Sequence, residues 1–215
     1  YNTEKKDYDY KIRVVGSNIS LDRFYLNNNP ESVIKDLINI SNPNFNEKTI
    51  FIWPEGILPE ISQKELFRYG QHFNDNFDKS HVLIIGINSQ SIKNGSLNYF
   101  NSLSVYDNKL NLINSYNKIN LVPFGEFLPF ENILNNFGLR SITNNYRSFS
   151  SGEKRNIIEI NKDNFSLKIL PLICYEIIYS GRLYKDSDFD FIVNISEDGW
   201  FGNSIGPKQH FVHSI

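Results

Sequence analysis

The sequence contains no methionine and a single cysteine, Cys174. One thiol excludes a disulfide bond within the chain and any metal site built from several cysteines. It leaves the redox compartment open, because a chain with one thiol fits either environment. Since the first residue is Tyr1 and no methionine follows, we expect the sequence to be an excised or incomplete piece of a longer protein.

An excess of positive charge is also missing. The 22 Lys and Arg residues are offset by 24 Asp and Glu residues, so the formal net charge is −2 at pH 7. Proteins that bind nucleic acids usually carry a basic excess. The composition therefore argues against a nucleic-acid partner.

Long apolar runs are absent as well. The best candidate, residues 165–179, is interrupted by Lys168 and Glu176, and it is shorter than the roughly 18–20 residues needed to cross a bilayer. The amino-terminal segment lacks the basic and then apolar pattern of a signal peptide. We therefore expect neither a membrane span nor a signal peptide in this sequence, which leaves open whether the parent protein has membrane segments.

What is present is the composition of a folded domain. Of the 215 residues, 40% are hydrophobic and 21% are charged, which is ordinary for a globular protein and unlike a disordered one. A chain of this length can bury one substantial hydrophobic core. We predict a single domain over residues 1–215.

Strand and helix patterns alternate in the first half of the sequence. The strands show alternation or β-branched apolar runs, and the helices show an apolar stripe behind a recognisable first turn. Pro30 marks the first turn of one helix, and Ser62 with Glu65 forms a capping box at the start of the other. The predicted strands are 10–20, 48–55 and 81–89, and the predicted helices are 29–41 and 62–73.

Paired strands dominate the second half. Residues 99–107 and 109–118 are predicted to form a hairpin around the turn at Asp107. The other predicted elements are strands at 155–160, 165–173 and 188–196, a short helix after Cys174, and a helix that begins at residue 206. Together with the alternating first half, this order indicates an α/β sandwich with helices on the outside of its sheets.

Three reactive side chains follow predicted strands: Glu55, Lys118 and Cys174. Ligands in α/β folds bind at the carboxyl ends of sheet strands. A thiol at a strand-to-helix turn can act as a nucleophile, a carboxylate can accept its proton, and a lysine can face the oxyanion of a tetrahedral intermediate. These are the groups needed for acyl transfer through a thioester. Taken alone, however, Cys174 is more often a small buried hydrophobic residue than a nucleophile.

Motifs that follow one another along the chain make the signal specific. They are WPEGILP (53–59), YNKINLVPFGEFLPF (116–130), LICYEI (172–177), NISEDGWFG (194–202) and GPKQH (206–210). Together they resemble the nitrilase-type carbon–nitrogen hydrolase superfamily, and within it the catalytic domain of the apolipoprotein N-acyltransferase family. The resemblance implies a nitrilase-like α-β-β-α sandwich, which we expect to be truncated at its C-terminal end.

The resemblance also implies the roles of the three reactive residues. The catalytic Glu, Lys and Cys of the family fall on Glu55, Lys118 and Cys174. Cys174 would be the nucleophile, and Glu55 would serve as base and then as acid. Lys118, with the backbone N–H of Cys174, would hold the oxyanion.

Three further positions match the family's site and are expected to support catalysis or bind substrate. Glu126 and Glu176 match its additional glutamates, and Tyr175 matches the residue beside the thiol. Either glutamate could instead orient its neighbours through hydrogen bonds, and the sequence leaves these alternatives open.

The implied reaction is a ping-pong acyl transfer. An acyl group passes from a phospholipid to Cys174, and then to the amine of the N-terminal diacylglyceryl-cysteine of a lipoprotein. The resemblance places the parent protein in the bacterial inner membrane, with this domain facing the periplasm and touching the membrane surface. It implies no metal and no other cofactor.

Two other classes of function stay open on the sequence. A soluble amidase or nitrilase would use the same Glu-Lys-Cys triad on a small carbon–nitrogen bond, and a non-catalytic member of the fold would act as a binding module. The intact triad argues against the binding module. His210 and His213 lie three residues apart on a predicted helix, but no carboxylate accompanies them at ligand spacing, so we interpret them as helix-surface or packing residues and not as a metal site.

The long stretch 127–152 has two interpretations. It is either a surface loop around a small packed cluster, or a lid that contacts the bilayer and admits an acyl chain. We favour the lid. Its apolar side would consist of Phe127, Leu128, Phe130, Ile133, Leu134, Phe137 and Leu139.

Overall fold

Two β-sheets packed face to face form the centre of the molecule. The structure is a computed structural model that describes residues 9–16, 29–93, 95–127, 129, 148–162, 165–182 and 188–214. Helices cover the outer face of the larger sheet, and a 3₁₀ helix packs on the outer face of the smaller one.

The larger sheet has five strands in the order β1-β2-β3-β4-β5. The first three strands are parallel to one another, and β3, β4 and β5 pair as antiparallel neighbours. The strands are β1 (Lys11–Val14), β2 (Thr49–Ile52), β3 (His81–Lys93), β4 (Ser96–Asp107) and β5 (Leu112–Asn117). The predicted hairpin around Asp107 is confirmed as β4 and β5.

The smaller sheet has three strands in the order β6-β7-β8. These are β6 (Ile158–Lys162), β7 (Phe165–Ile173) and β8 (Phe191–Ile195). β6 and β7 are antiparallel, whereas β7 and β8 are parallel. Parallel neighbours need a crossover connection, and the segment between β7 and β8 begins with a 3₁₀ helix at Cys174–Arg182.

Three α-helices are described: α1 (Pro30–Ser41), α2 (Gly70–Asn76) and α3 (Gly206–Ser214). The Asn29 side chain caps α1 by accepting from the N–H of Glu31, and Pro30 occupies the first turn as predicted. α1 ends at Asn42, which adopts a left-handed conformation with φ 43°. Shorter 3₁₀ helices lie at Leu66–Tyr69 and Asp198–Phe201.

Alternation along β2 divides the hydrophobic core into two layers. Phe51 and the following Trp53 face α1 and α2, while Ile50 and Ile52 face the smaller sheet. All four side chains are buried, so both faces of this strand are covered. The layer between the two sheets holds the reactive site at one end, because Cys174 belongs to it.

Several predicted boundaries were wrong. Within the described residues 9–16 the predicted strand 10–20 is present at 11–14, and its predicted part at 17–20 lies outside the described part of the chain. The predicted helix 62–73 begins as a 3₁₀ turn at Leu66 and becomes α-helical at Gly70. One half of the predicted capping box forms, since the Glu65 carboxylate accepts from the backbone N–H of Ser62. The other half does not, because the Glu65 N–H donates to the Ser62 carbonyl and the Ser62 hydroxyl donates to Glu65.

The stretch that we interpret as a lid falls almost entirely outside the described residues, which omit 128 and 130–147. The described residues at the end of this stretch form hydrogen bonds with residues of the reactive site. The N–H of Phe149 donates to the carbonyl of Glu126 over 2.7 Å, and the N–H of Gly152 donates to the carbonyl of Lys118 over 2.8 Å.

Candidate active site

Glu55 reaches the site because the chain after the end of β2 at Ile52 stays very close to β3 as far as Glu55. A Cβ atom added to Gly86 of β3 would lie 2.3 Å from the Pro54 carbonyl oxygen and 2.6 Å from the Glu55 Cα. Only glycine therefore fits at this position. The buried Glu55 carboxylate accepts from Asn101 Nδ2 over 2.7 Å and from the backbone N–H of Glu197 over 3.1 Å.

Lys118 directly follows β5 and is 1% exposed. Its backbone N–H donates to the carbonyl of Asn101, which continues the β4–β5 ladder by one residue and fixes the direction of the side chain. Its Nζ lies 2.9 Å from Oε2 of Glu126 and 3.3 Å from Oε1 of Glu55. Burial by itself lowers the pKa of this lysine, but the two carboxylates raise it overall, so the ammonium form is retained.

Cys174 lies at the end of β7, where the 3₁₀ helix begins, and its backbone is left-handed with φ 53°. For a residue with a side chain this conformation costs roughly 1–2 kcal/mol. A strained turn between a strand and a helix presents a nucleophile toward a cavity in other hydrolytic folds. Burial and the neighbouring Glu55 raise the pKa of the Cys174 thiol to about 12, although Lys118 opposes this effect. The resting sulfur is therefore protonated, and its activation requires a base.

These three side chains line one cavity of about 450 Å³. This volume is within the range of small-molecule sites. The other lining residues are Gly56, Pro59, Asn88, Asn101, Val122, Gly125, Glu126, Phe149, Tyr175, Glu197 and Phe201. The strand ends of both sheets meet here, as expected for an α/β fold.

Glu126 belongs to the same cluster. One carboxylate oxygen accepts from the N–H of Val122 and contacts Lys118, and the other accepts from Asn101 Nδ2 over 2.7 Å. The structure thus brings Glu126 to the wall of the cavity and against the ammonium group of Lys118.

Asn101 is a site residue that the sequence interpretation missed. Its side-chain nitrogen bridges Glu55 and Glu126, with 2.7 Å to each carboxylate. Its Oδ1 is buried and has no hydrogen-bond partner within the described part of the chain. Asn101 begins the buried part of β4, but the sequence gives little signal for it, because serines also occur in that part and asparagine is frequent throughout the chain.

Glu176 lies close to Cys174 in sequence but does not line the cavity. Its side chain is fully buried and accepts from five donors of the described structure. The donors to Oε1 are the Tyr116 hydroxyl, the N–H groups of Ile119 and Asn120, and Arg155 Nη2, and the donor to Oε2 is the N–H of Ile173. This arrangement orders the chain on both sides of the site and leaves no free carboxylate for a substrate.

Tyr175 lines the cavity and stacks on His210, with ring centroids 5.3 Å apart and an interplanar angle of 17°. His210 itself is buried, so of our two interpretations packing is correct and a helix-surface position is wrong. The His213 side chain lies outside the described part of the structure.

In the residues described, no group of three or more His, Cys, Asp or Glu side chains could hold a metal ion. Likewise, none of the described helices is long and apolar enough to cross a membrane.

Comparison with known proteins gives the class to which this fold and site belong. Residues 76–214 match the family model for carbon–nitrogen hydrolases, a match that includes Lys118 and Cys174. The chain belongs to the carbon–nitrogen hydrolase family.

Similar curated proteins point to one branch of that family. The chain is 36% identical over 219 residues to a protein of Wigglesworthia glossinidia brevipalpis named Apolipoprotein N-acyltransferase, covering 96% of this chain and 41% of that protein. A protein of the same name from Rhizobium leguminosarum bv. trifolii is 36% identical over 168 residues, covering 75% of this chain and 30% of that protein. The chain therefore spans less than half the length of these relatives.

Solved structures show the same fold at low sequence identity. An N-terminal amidase crystallised with an Asn-Glu-Ala peptide superposes with a TM-score of 0.54 and 13% identity, covering 93% of this chain and 52% of that chain. A carbon–nitrogen hydrolase from Helicobacter pylori G27 gives a TM-score of 0.52 and 14% identity, covering 86% of this chain and 62% of that chain. The predicted nitrilase-like fold class is confirmed.

Proposed function

We propose that this chain is the catalytic domain of an apolipoprotein N-acyltransferase. The enzyme transfers a fatty acyl group from a phospholipid to the amine of a diacylglyceryl-modified N-terminal cysteine. The acyl group is carried between the two as a thioester of Cys174.

In the first half-reaction, Cys174 Sγ attacks the ester carbonyl carbon of the phospholipid. Glu55 accepts the thiol proton, which is necessary because the thiol has a pKa of about 12 and is protonated at neutral pH. The intermediate collapses as the ester C–O bond breaks, and Glu55 returns the proton to the departing lysophospholipid oxygen. The products are an acyl thioester and a lysophospholipid.

Lys118 stabilises the negative charge that develops on the carbonyl oxygen. Its ammonium group is held by Glu55 and Glu126, so it is charged and fixed before the substrate arrives. The N–H of Cys174 serves as a second donor. Losing one donor of this kind typically costs about 3–4 kcal/mol of transition-state stabilisation.

In the second half-reaction, the lipoprotein amine attacks the thioester carbon. Glu55 accepts a proton from the amine, the C–S bond breaks, and the sulfur regains a proton from Glu55. An amide and the resting thiol result, so the sequence of steps balances without a cofactor.

The similarity to curated relatives is the observation that favours acyl transfer over the other reactions of this family. Relatives named Apolipoprotein N-acyltransferase match 75–96% of this chain, while the amidase and hydrolase structures share only the fold at 13–14% identity. The location follows from the same proposal: the parent protein resides in the bacterial inner membrane, and this domain meets the membrane surface from the periplasmic side.

The test is the intact mass of the full-length protein after incubation with phosphatidylethanolamine vesicles. We expect the mass to increase by one fatty acyl group, and hydroxylamine to remove it, because thioesters are cleaved by this nucleophile. The Cys174→Ala variant is the control and should gain nothing. If folded protein whose Cys174 reacts with iodoacetamide gains no acyl group, the phospholipid proposal is wrong, and small amides become the substrates to try.

A further inference from the structure

A buried histidine outside the Glu-Lys-Cys triad contacts the backbone of Cys174. His210 of α3 is 5% exposed, and its Nε2 lies 3.2 Å from the carbonyl oxygen of Cys174. Its Nδ1 lies 2.8 Å from Oδ1 of Asp198. The ring stacks on Tyr175 and meets Phe201 at a tilt, so it is fixed on several sides.

The hydrogen-bonding partners determine where the protons lie. A backbone carbonyl only accepts, so Nε2 of His210 carries a proton and donates it to Cys174. The other ring nitrogen, Nδ1, faces Oδ1 of Asp198 over 2.8 Å, which holds the ring in its orientation. Orientation by a carboxylate at one nitrogen is the usual way to fix which nitrogen of a histidine donates to its target.

Ser196 connects this pair to the sulfur. Its hydroxyl lies 2.5 Å from the same Asp198 oxygen, and its interaction with Cys174 partly opposes the rise in the thiol pKa that burial and Glu55 cause. A hydroxyl has one proton to donate. Ser196 can donate to Asp198 while the sulfur is protonated, and to the sulfur when the sulfur is ionised.

The contact matters because Cys174 has an unusual backbone. Its left-handed φ of 53° persists only if the surrounding structure holds it. Glu176 holds the preceding N–H, that of Ile173, and His210 holds the following carbonyl, that of Cys174 itself. The turn that presents the sulfur to the cavity is thus fixed on both sides.

We propose that His210, oriented by Asp198, is a positioning residue for the nucleophile. It holds the carbonyl of Cys174 so that the sulfur stays directed at the cavity. The inference rests on the proposed role of Cys174 as nucleophile, but it concerns residues outside the Glu-Lys-Cys triad. A misplacement of about 1 Å in a reacting group costs on the order of 100-fold in rate.

The experiment uses the full-length protein and two variants of His210. In His210→Gln the amide nitrogen replaces Nε2 as a donor to Cys174, whereas His210→Phe keeps a ring on Tyr175 but cannot donate. The rate of acylation by phosphatidylethanolamine vesicles is measured in single-turnover reactions at several lipid concentrations. We expect the maximal rate to fall about 100-fold in the Phe variant, with half-saturation unchanged, and the Gln variant to recover most of the loss.

Two results would overturn the inference. One is an unchanged acylation rate in His210→Phe, and the other is a His210→Gln variant that is as slow as the Phe variant. His72→Phe, a change on α2 remote from the cavity, is the matched control. If His210→Phe does not fold, His210→Asn replaces it, because the shorter amide reaches Asp198 but not Cys174. An unchanged acylation rate in His210→Asn, or a His210→Gln variant that is as slow as His210→Asn, would then overturn the inference.

Iodoacetamide separates this inference from the proposed function. The alkylation rate of Cys174 also depends on how the sulfur is presented, but it needs no lipid. If wild-type protein is not acylated, the proposed function fails, while slower alkylation of His210→Phe than of His210→Gln still supports the positioning role. Equal alkylation rates in wild type and both variants would overturn the positioning role of His210.

Discussion

Two buried charge clusters lie near Cys174, and they differ in how well their charges are balanced. In the first, Lys118 meets two carboxylates, those of Glu55 and Glu126. In the second, Arg155 meets the single carboxylate of Glu176. Both clusters are shielded from solvent, so an unbalanced charge is costly in either place.

The Glu176 cluster is saturated. Both of its carboxylate oxygens accept hydrogen bonds, and its one negative charge is matched by one positive charge. The cluster at Glu55 holds two negative charges against one positive charge. In addition, Asn101 has a side-chain oxygen without a hydrogen-bond partner among the residues described.

This difference separates a structural cluster from a reactive one. A carboxylate whose oxygens all accept internal hydrogen bonds stabilises the fold and is not available to a substrate. Glu55 lines the same cavity as the protonated thiol of Cys174 and can exchange a proton with it there, whereas Glu176 does not line that cavity. Three predictions, on two substitutions, test the comparison.

The largest effect is expected for Glu55→Gln. Removal of a general base typically slows a reaction by roughly 10²- to 10⁴-fold, and we expect this loss in the single-turnover acylation rate of the full-length protein. The melting temperature should not fall, because Lys118 keeps Glu126 as its partner. Glu153→Gln, which alters a surface pair with Lys93, is the control and should acylate at the wild-type rate. A Glu55→Gln variant that acylates normally would show that the base is elsewhere.

The next effect is on stability. Glu176→Ala leaves Arg155 buried without its partner, and breaking a buried pair in this way costs roughly 3–5 kcal/mol. The measurement is the free energy of unfolding from a denaturant titration. Glu153→Ala at the surface should change it by no more than about 0.5 kcal/mol. A comparably small change for Glu176→Ala would show that the second cluster does not stabilise the fold.

The smallest effect concerns the ionisation of the thiol. The negative charge of Glu55 raises the pKa of Cys174, so removing that charge lowers the pKa from about 12 and increases the thiolate fraction at any pH below it. At pH 8 we expect Glu55→Gln to react with iodoacetamide roughly 3- to 10-fold faster than wild type. Faster alkylation with slower acylation would distinguish the loss of a base from damage to the site. Slower alkylation would contradict the charge argument.

Much of the fold could be predicted because it depends on local patterns. The apolar runs of β2 and β3 and the turn at Asp107 gave the centre of the larger sheet and its hairpin. Boundaries were less accurate where tertiary contacts decide them. The helix after Ser62 starts late: Ser62 forms an isolated bridge with Asn88 of β3, and residues 63–65 form a turn before the first helical residue.

Of the candidate site, only the residues that lie in recognisable short motifs could be predicted from the sequence. Glu55, Lys118 and Cys174 follow strands and meet in one cavity, as the topology requires. The contrast between Glu126 and Glu176 was not accessible, since it depends on which donors surround each carboxylate after folding. Asn101 and His210 were missed for the same reason: each acts through contacts with residues 12 to 46 positions away along the chain.

Gly86 shows that the active site also restricts the choice of residue at a position outside the cavity. No atom of this residue lines the cavity, yet any side chain there would push against the backbone at Pro54 and displace the carboxylate that follows. A survey of tolerated substitutions would therefore find position 86 as restricted as the reactive residues themselves. Such a survey would record the constraint in the middle of a strand, where it could be mistaken for a requirement of folding alone.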